Sequence, residues 1–240
     1  MSDGERLGLI IDGIDIFEKW GISVKNRNIG KPNKKKVLEP VPRSNIVLDF
    51  SNLNDDGEDN YEERPLQYVL NLIGTKKDRI TTRFLETEFD NFIMNKQRVK
   101  LVDEAFPGYY FLVDIREGTD FSPLFNFGEL TVNWMAYPFK IKKAREGSKY
   151  WDDYTILDYY QETEFTVNGS KTIELMNTGI ASVVPLVTCT APMTVEINGK
   201  QFKFTTGTFQ SDKLVLRKGK NTLLLSGNGK IDFEFHKEVI

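Results

Sequence analysis

The two side chains best suited to nucleophilic and acid–base chemistry occur once each in this chain, as Cys189 and His236. Cys189 lies in the apolar run VVPLVTCTA, and His236 alternates with Phe233 and Phe235 in FEFHKEV. A catalytic thiol needs a base beside it, and a zinc site usually draws on several His or Cys ligands. We therefore expect Cys189 to be a small core residue and His236 a surface or half-buried strand residue, with no metal or cofactor.

The other groups that could react are the 35 acidic side chains. A glycosidase uses two carboxylates at a fixed separation, but no spacing in this sequence marks one pair among so many. The chain also lacks GxSxG, Walker and GxGxxG motifs. We predict that the protein is not an enzyme, and a cell-wall hydrolase is the third of three hypotheses.

Carbohydrate binding is the second hypothesis, because an exposed aromatic ring beside polar groups commonly holds a sugar. The tryptophans are Trp20, Trp134 and Trp151, and none falls in the strands predicted for the C-terminal part. The phenylalanines of that part alternate with polar residues, which is typical of a core face. The pattern therefore lowers the expectation of a sugar-binding adhesin without removing it.

Composition excludes several classes of protein. The chain has 240 residues, 40% hydrophobic, with a net charge of -3, so it has no general attraction for nucleic acid. One cysteine cannot form an intramolecular disulfide. The N-terminal run LGLIIDGIDIF is interrupted by Asp12 and Asp15 and lacks a cleavage site, and no stretch is long and apolar enough to span a bilayer. We expect synthesis in the cytoplasm without a signal peptide and no membrane partner.

A strand with the sequence GELTVNWMAYPF, residues 128–139, marks the boundary between two kinds of sequence. Leu130, Val132, Trp134 and Ala136 share one face of a two-residue period, and Pro138 ends the strand or makes it an edge. A charged stretch, IKKAREGSK, follows. We predict domains over 1–140 and 151–240, joined by a linker over 141–150.

The N-terminal part has the pattern of an α+β domain. TTRFLETEFDNFIMNK predicts a helix from Thr81 to Lys96, and the flanking runs predict strands on which it packs. Its predicted core stripe is Phe84, Leu85, Phe89, Phe92 and Ile93. Two short strands are expected between Leu7 and Val24, around turns at Asp12–Gly13 and Trp20–Gly21. We therefore expect a mainly antiparallel sheet covered by one helix.

The C-terminal part predicts an all-β sandwich. Its turn signals are Asn168–Gly169, Asn198–Gly199, Lys218–Gly219 and Asn228–Gly229, of which Asn198–Gly199 suits a type I′ hairpin best. About eight short strands are expected, a pattern typical of a sandwich. The predicted strands are 163–167, 171–176, 183–190, 194–197, 201–205, 213–216, 221–225 and 230–236.

A basic segment and an acidic segment near the N-terminus predict a self-assembly arm. The basic residues are Lys31, Lys34, Lys35 and Lys36, and the acidic ones include Asp55, Asp56, Glu58 and Asp59. Residues 46–48 and 65–73 are expected to pair as a long hairpin with this acidic tip. A solvated loop is the simpler interpretation of the lysines. The alternative is that the basic segment of one copy docks on the acidic tip of the next, in pairs that are individually weak.

The order of several segments resembles siphophage distal tail proteins. These segments are DGI followed by WGISV, then PRSNIVLDF, an acidic gap and YEERPLQY, then WMAYPF before the connector. The ending LRKGKNTLLLSGNGKIDFEF is similar to the galectin-like C-terminal domain of that family. The chain departs from the pattern at Arg43–Ser44–Asn45, where glycines are often found, and leaves no room for inserted carbohydrate-binding modules.

The resemblance implies a virion structural protein at the tail tip of a long non-contractile-tailed phage. The N-terminal domain would form a hexameric ring that joins the tail tube protein to the tip protein. DNA would pass through the central channel without specific binding. The galectin-like β-sandwich would dock receptor-binding or baseplate proteins, which links the hub to host adsorption.

Overall fold

The computed structural model describes residues 7–51, 59–73, 79–124, 127–156 and 158–240, and its fold class is the one predicted. The chain divides into two compact units, one of residues 1–140 with Ile240 and one of residues 141–239. Residues 141–150, expected to be a linker, are counted within the second unit, where Ile141, Lys142 and Glu146 are buried.

The first unit is an antiparallel sheet with a helix on one face. Its strands run in the order β2-β1-β7-β8-β10-β6-β3, and β9 pairs with β10. The elements are β1 (Leu9–Ile11), β2 (Ile14–Asp15), α1 (Ile16–Trp20), β3 (Ser23–Ile29), β4 (Leu38–Pro40), β5 (Val47–Asp49), β6 (Arg64–Leu72), α2 (Arg79–Met94), β7 (Val99–Asp103), β8 (Tyr109–Ile115), β9 (Asp120–Pro123) and β10 (Gly128–Ala136).

The predicted helix is α2, and most of its predicted stripe lies in the core. Phe89 and Ile93 are fully buried, and Leu85 and Phe92 pack at the edge of the same cluster. Phe84 was predicted to be buried and is exposed. The stripe that includes Phe84 is wider than the contact the helix makes with β6 and β10. Trp134 of β10 is buried against Tyr68, as expected for a core residue.

The turn predicted at Trp20–Gly21 is the end of a short helix. Asp15 caps the first turn of α1, where its carboxylate accepts from the N–H groups of Phe17 and Glu18. Gly21 ends the helix with a φ of 68°, a conformation that glycine adopts at little cost. Strand prediction was therefore wrong for residues 16–20, while Asp12–Gly13 does form the turn between β1 and β2.

The long hairpin predicted from residues 46–48 and 65–73 does not form. Val47–Asp49 pairs instead with Leu38–Pro40 as a separate two-stranded sheet. β6 lies between β3 and β10, with its even-numbered side chains in the core. Since β6 has a clear buried face and β5 is exposed at every position, burial places β6 in the main sheet and leaves β5 outside it.

The second unit is built around two long strands. β12 pairs with β17 over 14 residues, so the turns predicted at Asn168–Gly169 and Asn228–Gly229 lie within strands. The elements that follow β10 along the chain are β11 (Lys140–Lys142), a 3₁₀ turn (Trp151–Asp153), β12 (Glu164–Asn177), β13 (Leu186–Cys189), β14 (Met193–Ile197), β15 (Lys200–Phe204), β16 (Gly207–Gln210), β17 (Gly219–Glu234) and β18 (Glu238–Val239).

Glycines allow β17 to change partners along its length. Its residues 224–227 pair with β14 and its residues 231–234 pair with β13. At Gly227, where φ is 141°, a Cβ atom would lie 2.8 Å from the carbonyl oxygen of Pro192. Gly227 thus serves close backbone approach within a strand. Asn198–Gly199 joins β14 to β15 with positive φ at both residues, as predicted.

Candidate assembly surfaces

The basic segment lies beside the acidic flank of the same chain. The amide N–H of Lys35 donates to the carbonyl of Asn60, and that of Glu62 donates to the carbonyl of Asn33, both at 2.8 Å. The Lys34 ammonium is 2.5 Å from the carboxylate of Asp59. This hydrogen bond and the charge of Asp59 raise the pKa of Lys34. Lys34 and Asp59, which were predicted to pair between copies, are therefore paired within a single copy.

The other predicted arm residues that the structure describes are Lys31, Lys35 and Lys36, and all three are exposed. Hydrogen bonds from Ser51 lower the pKa of Asp49, and the positive charge of Lys36 lowers it further. Asp55, Asp56 and Glu58 lie outside the described residues. The sequence predicts an assembly arm that acts through charge. The most prominent exposed side chains of the described residues between the two charged segments are apolar.

The hairpin arm, residues 37–50, exposes five large aliphatic side chains, its aliphatic row, which are shared between the two faces of the hairpin. Val37, Leu38, Ile46, Val47 and Leu48 are each between 43% and 61% exposed. The hairpin is closed by the N–H of Val41 donating to Ile46 and that of Phe50 donating to Val37, at 3.0 and 2.8 Å. Among the described strands, none joins β4 or β5 from outside this pair.

Among the described residues, no third strand supports this hairpin. A two-stranded sheet alone is marginally stable in water, and it needs a third strand or a packed face. Each of the five aliphatic side chains would gain roughly 1.5–3 kcal/mol on full burial. The hairpin arm is therefore the surface of the first unit best suited to cover, or be covered by, another chain.

The face of the first sheet that lacks a helix is polar and nearly neutral. The odd-numbered residues of β6 and β10 point to it, and there the Gln67 amide donates to Asn133 at 3.0 Å. Lys25 of β3 pairs with Glu129 on the same face. A surface of amides and paired charges presents little net field to a polyanion.

The second unit displays an aromatic segment, residues 150–160. Trp151 is 87% exposed, and the other large exposed side chains of the segment are Tyr150, Ile156, Tyr159 and Tyr160. Polar side chains in and beside this stretch are divided between inside and outside. Asp158 and Gln161 are buried, and Ser148 accepts the N–H of Tyr150 at 3.2 Å, whereas Asp152 and Thr155 are exposed.

A buried ionic cluster holds this segment from beneath. Asp158 receives hydrogen bonds at 2.8 Å from the N–H and hydroxyl of Thr155, and its carboxylate lies 3.0 Å from Lys142 and 3.3 Å from Lys237. Burial alone would raise the pKa of Asp158, but these donors outweigh it and bring the pKa to about 2. Burial raises the pKa of neighbouring Glu146, and a hydrogen bond from the Gln161 amide together with the charges of Lys142 and Lys237 partly offsets this rise. The cluster fixes the base of the aromatic segment.

Cys189 and His236, the two candidate reactive side chains, are packed within the strands of the second unit or beside them. Cys189 is buried in β13, and this burial raises the pKa of its thiol. His236 is half-buried, with Nδ1 2.9 Å from the carbonyl of Lys142. Within the described ranges, His, Cys, Asp and Glu side chains form no group of three that could hold a metal ion. A search of the same residues found no helix with the length and apolarity to cross a membrane.

Neither exposed apolar surface was identified from the sequence. The run VLEPVP gives no helical or strand period, and no period in the sequence marks Trp151 and its neighbouring tyrosines as an exposed surface. A usable signal was present in the hairpin arm, since Ile46, Val47 and Leu48 are consecutive apolar residues and a strand with one covered face alternates.

Comparison with known proteins gives a match only in structure. No protein-family model and no curated protein matches the chain. The solved structure of the Dit protein of phage SPP1, described as a paradigm of the hub adsorption apparatus in phages that infect Gram-positive bacteria, matches 98% of this chain and 99% of its own. The TM-score is 0.63 and the sequence identity 14%. A baseplate chain of phage p2 in its activated conformation, determined with strontium, matches 98% of both chains with a TM-score of 0.40 and 10% identity. The chain thus has the fold of a phage distal tail protein, which confirms the fold expected from the resemblance.

Proposed function

We propose that this chain is the distal tail hub of a long non-contractile-tailed phage. It is a virion structural protein and has no enzymatic activity. Six copies form a ring at the tail tip through their first units, and this ring joins the tail tube protein to the tip protein. The second units dock receptor-binding or baseplate proteins for adsorption to the host.

The observation that carries this proposal is the hairpin arm on a chain with the distal tail fold. Its exposed aliphatic row needs a covering surface, and its strands β4 and β5 have free edges among the described strands. A head-to-tail contact repeated by rotation closes into a ring when the rotation fits. We infer that the hairpin arm of one copy packs on the first unit of the next.

The polar sheet face supports a channel through which DNA passes. Its amides and the Lys25–Glu129 pair would not retain a passing duplex, since non-specific binding depends on unpaired cationic side chains. We propose that this face lines the channel. The net charge of -3 agrees with a channel that lets DNA pass without binding it.

The test is the mass of the full-length chain in solution, measured by light scattering after size exclusion with and without the tube and tip proteins. We expect a species of about six times the 27.6 kDa chain mass. A variant in which residues 37–50 are replaced by a short Gly–Ser linker should remain folded and monomeric. Its matched control replaces Phe84, an exposed aromatic residue of the same unit, with Ala and should still assemble. A wild-type chain that stays monomeric at tens of micromolar with both partners present would contradict the hub.

A second candidate function is carbohydrate recognition by the second unit. One observation favours it, namely that the exposed rings of the aromatic segment stand beside a polar cavity.

A further inference from the structure

The second unit contains a cavity of about 460 Å³ at the foot of the aromatic segment. Its walls combine the rings of Tyr150 and Tyr160 with charged side chains, chiefly Arg145, Lys149, Glu164 and Asp232. A cleft that joins apolar rings to a few convergent polar groups is the usual form of a small-molecule site. This volume falls within the range of such sites.

The charged groups of the cavity are held in place by one another. The Arg145 guanidinium donates to both carboxylate oxygens of Asp232, at 2.9 and 2.5 Å, and to the Thr163 hydroxyl at 3.0 Å. Lys149 donates to Glu164 at 3.1 Å. Each cation therefore has a carboxylate partner, and with Glu162 also on the wall the cavity has one more acidic than basic side chain. The bidentate Arg145–Asp232 pair is the well-defined one, whereas the Lys149–Glu164 pair is exposed and weak.

The backbone at the cavity wall is also specialised. Gly147 has a φ of 71°, and a Cβ atom there would lie 2.6 Å from the Thr163 hydroxyl and 3.1 Å from the carbonyl of Gln161. A larger residue would both strain the chain and push Thr163 away from Arg145. Both the conformation and the close approach require glycine at this position.

The aromatic rings are exposed to solvent on a segment whose base is held in place. Trp151, Tyr150 and Tyr160 are 87%, 76% and 67% exposed, above a base fixed by the buried pairs of Asp158 with Lys142 and Lys237. Holding charged groups inside while large rings stay in water opposes the usual driving forces. A ligand that covers the rings would supply the compensating burial.

We propose that this cavity and the aromatic segment bind a neutral oligosaccharide. The C–H face of a pyranose packs on an aromatic ring, and its hydroxyl groups both donate and accept, as the paired Arg145–Asp232 and Lys149–Glu164 groups require. An anionic sugar would meet Glu164 and Asp232, which disfavour it. The proposal specifies the site of the second candidate function and leaves ring formation through the first unit independent of it.

The test uses full-length protein on an array of neutral and anionic hexose and N-acetylhexosamine oligosaccharides, followed by titration of the strongest neutral array member. Trp151→Ala and Tyr160→Ala should each weaken binding by about tenfold or more, while Phe84→Ala should not. Because Trp20 and Trp134 are buried, a ligand-dependent change in tryptophan emission should come from Trp151 and vanish in Trp151→Phe.

Three results would overturn the site. The first is an array on which no neutral oligosaccharide is bound. The second is binding that survives both Trp151→Ala and Tyr160→Ala. The third is a Trp151→Ala variant that loses a protein partner of the tail while the wild type binds no glycan, which would make the segment a protein-docking surface. Because the mass of the assembled ring is measured separately, failure here is distinguishable from failure of the hub.

Discussion

The hairpin arm and the aromatic segment are both exposed and apolar, but the chain supports them in different ways. The hairpin arm is a two-stranded sheet whose aliphatic row has no described strand beside it. The aromatic segment has almost no regular structure, yet buried charges and hydrogen bonds fix its base. Among the described residues, the hairpin arm has no third strand beside it, whereas the aromatic segment is held in place by buried ion pairs.

This difference separates two kinds of recognition. A weakly supported hairpin gains most when a neighbouring chain adds the missing packing, which is how a subunit contact that forms on assembly behaves. A segment fixed before binding loses little conformational entropy when it meets a ligand. We therefore expect the hairpin arm to become ordered with assembly and the aromatic segment to be the same in the free and assembled chain.

The largest expected effect is the unfolding of the first unit, which carries the hairpin arm, while the second unit, which carries the aromatic segment, stays folded. Phe89→Asp places a carboxylate in the fully buried centre of the first core and should unfold that unit, at a cost of several kcal/mol. The second unit, with its own apolar cluster, should keep its structure. Calorimetry of the full-length variant should show one of two transitions lost. Loss of both would mean that the units do not fold separately.

The next effect concerns the support under the aromatic segment. Asp158→Asn leaves Lys142 and Lys237 buried beside an uncharged partner, which should cost about 2–5 kcal/mol in the second unit. Hydrogen exchange should rise across residues 148–160. Asp59→Asn is the matched control, because it breaks the exposed pair with Lys34 and should leave exchange in the second unit unchanged. Equal protection in Asp158→Asn and wild type would show that the cluster does not hold the segment.

Acid should weaken the aromatic segment through the same carboxylate. The folded pKa of Asp158 is about 2 against an ordinary 3.8, so its contribution of about 2 kcal/mol is complete above pH 3.8 and is lost as pH falls toward 2. Glu146 acts in the opposite sense, because its raised pKa favours the folded state below pH 4.5. Denaturant titrations of wild type and Asp158→Asn should converge between pH 4 and 2. A constant difference across this range would contradict the assignment to Asp158.

The smallest effect is expected at the charged root of the hairpin arm. Lys34→Ala removes an exposed ion pair with Asp59 that solvent and salt screen. We expect no measurable change in thermal stability and only a slight change in the mass of the assembly, whereas Val47→Lys in the aliphatic row should reduce assembly strongly. If Lys34→Ala prevented assembly and Val47→Lys did not, the charge-based arm predicted from the sequence would be the better account.

Local patterns predicted the fold where one face of an element is buried. Trp134, Phe89 and the Asn198–Gly199 hairpin are specified by residues within a few positions along the chain. The pairing of Val47–Asp49 could not be predicted in this way, because nothing local distinguishes Leu38–Pro40 from β6 as its partner. Asn168–Gly169 and Asn228–Gly229 have the local chemistry of turns but face each other across two long strands.

The candidate sites were harder to predict because their partners are distant in sequence. Asp158 meets Lys237 across 79 positions and Arg145 meets Asp232 across 87. Asp103 is buried in the first core, where it accepts from Arg27 and Tyr68, 76 and 35 positions away. No spacing rule reports such contacts. The exposure of a tryptophan could not be predicted either, because the residue type is the same for the buried Trp134 and the exposed Trp151.

The most direct test of the central claim is cross-linking of mixed isotopic copies. Unlabelled and ¹⁵N-labelled chains are assembled together and treated with a lysine- and carboxylate-reactive reagent, since Lys34, Lys35 and Lys36 are exposed at the root of the hairpin arm. We predict mixed-isotope links from these lysines to the first unit of a neighbouring copy, which disappear when residues 37–50 are replaced. Assembled rings in which every link from these lysines joins peptides of a single copy would contradict a hairpin arm that packs on the next subunit.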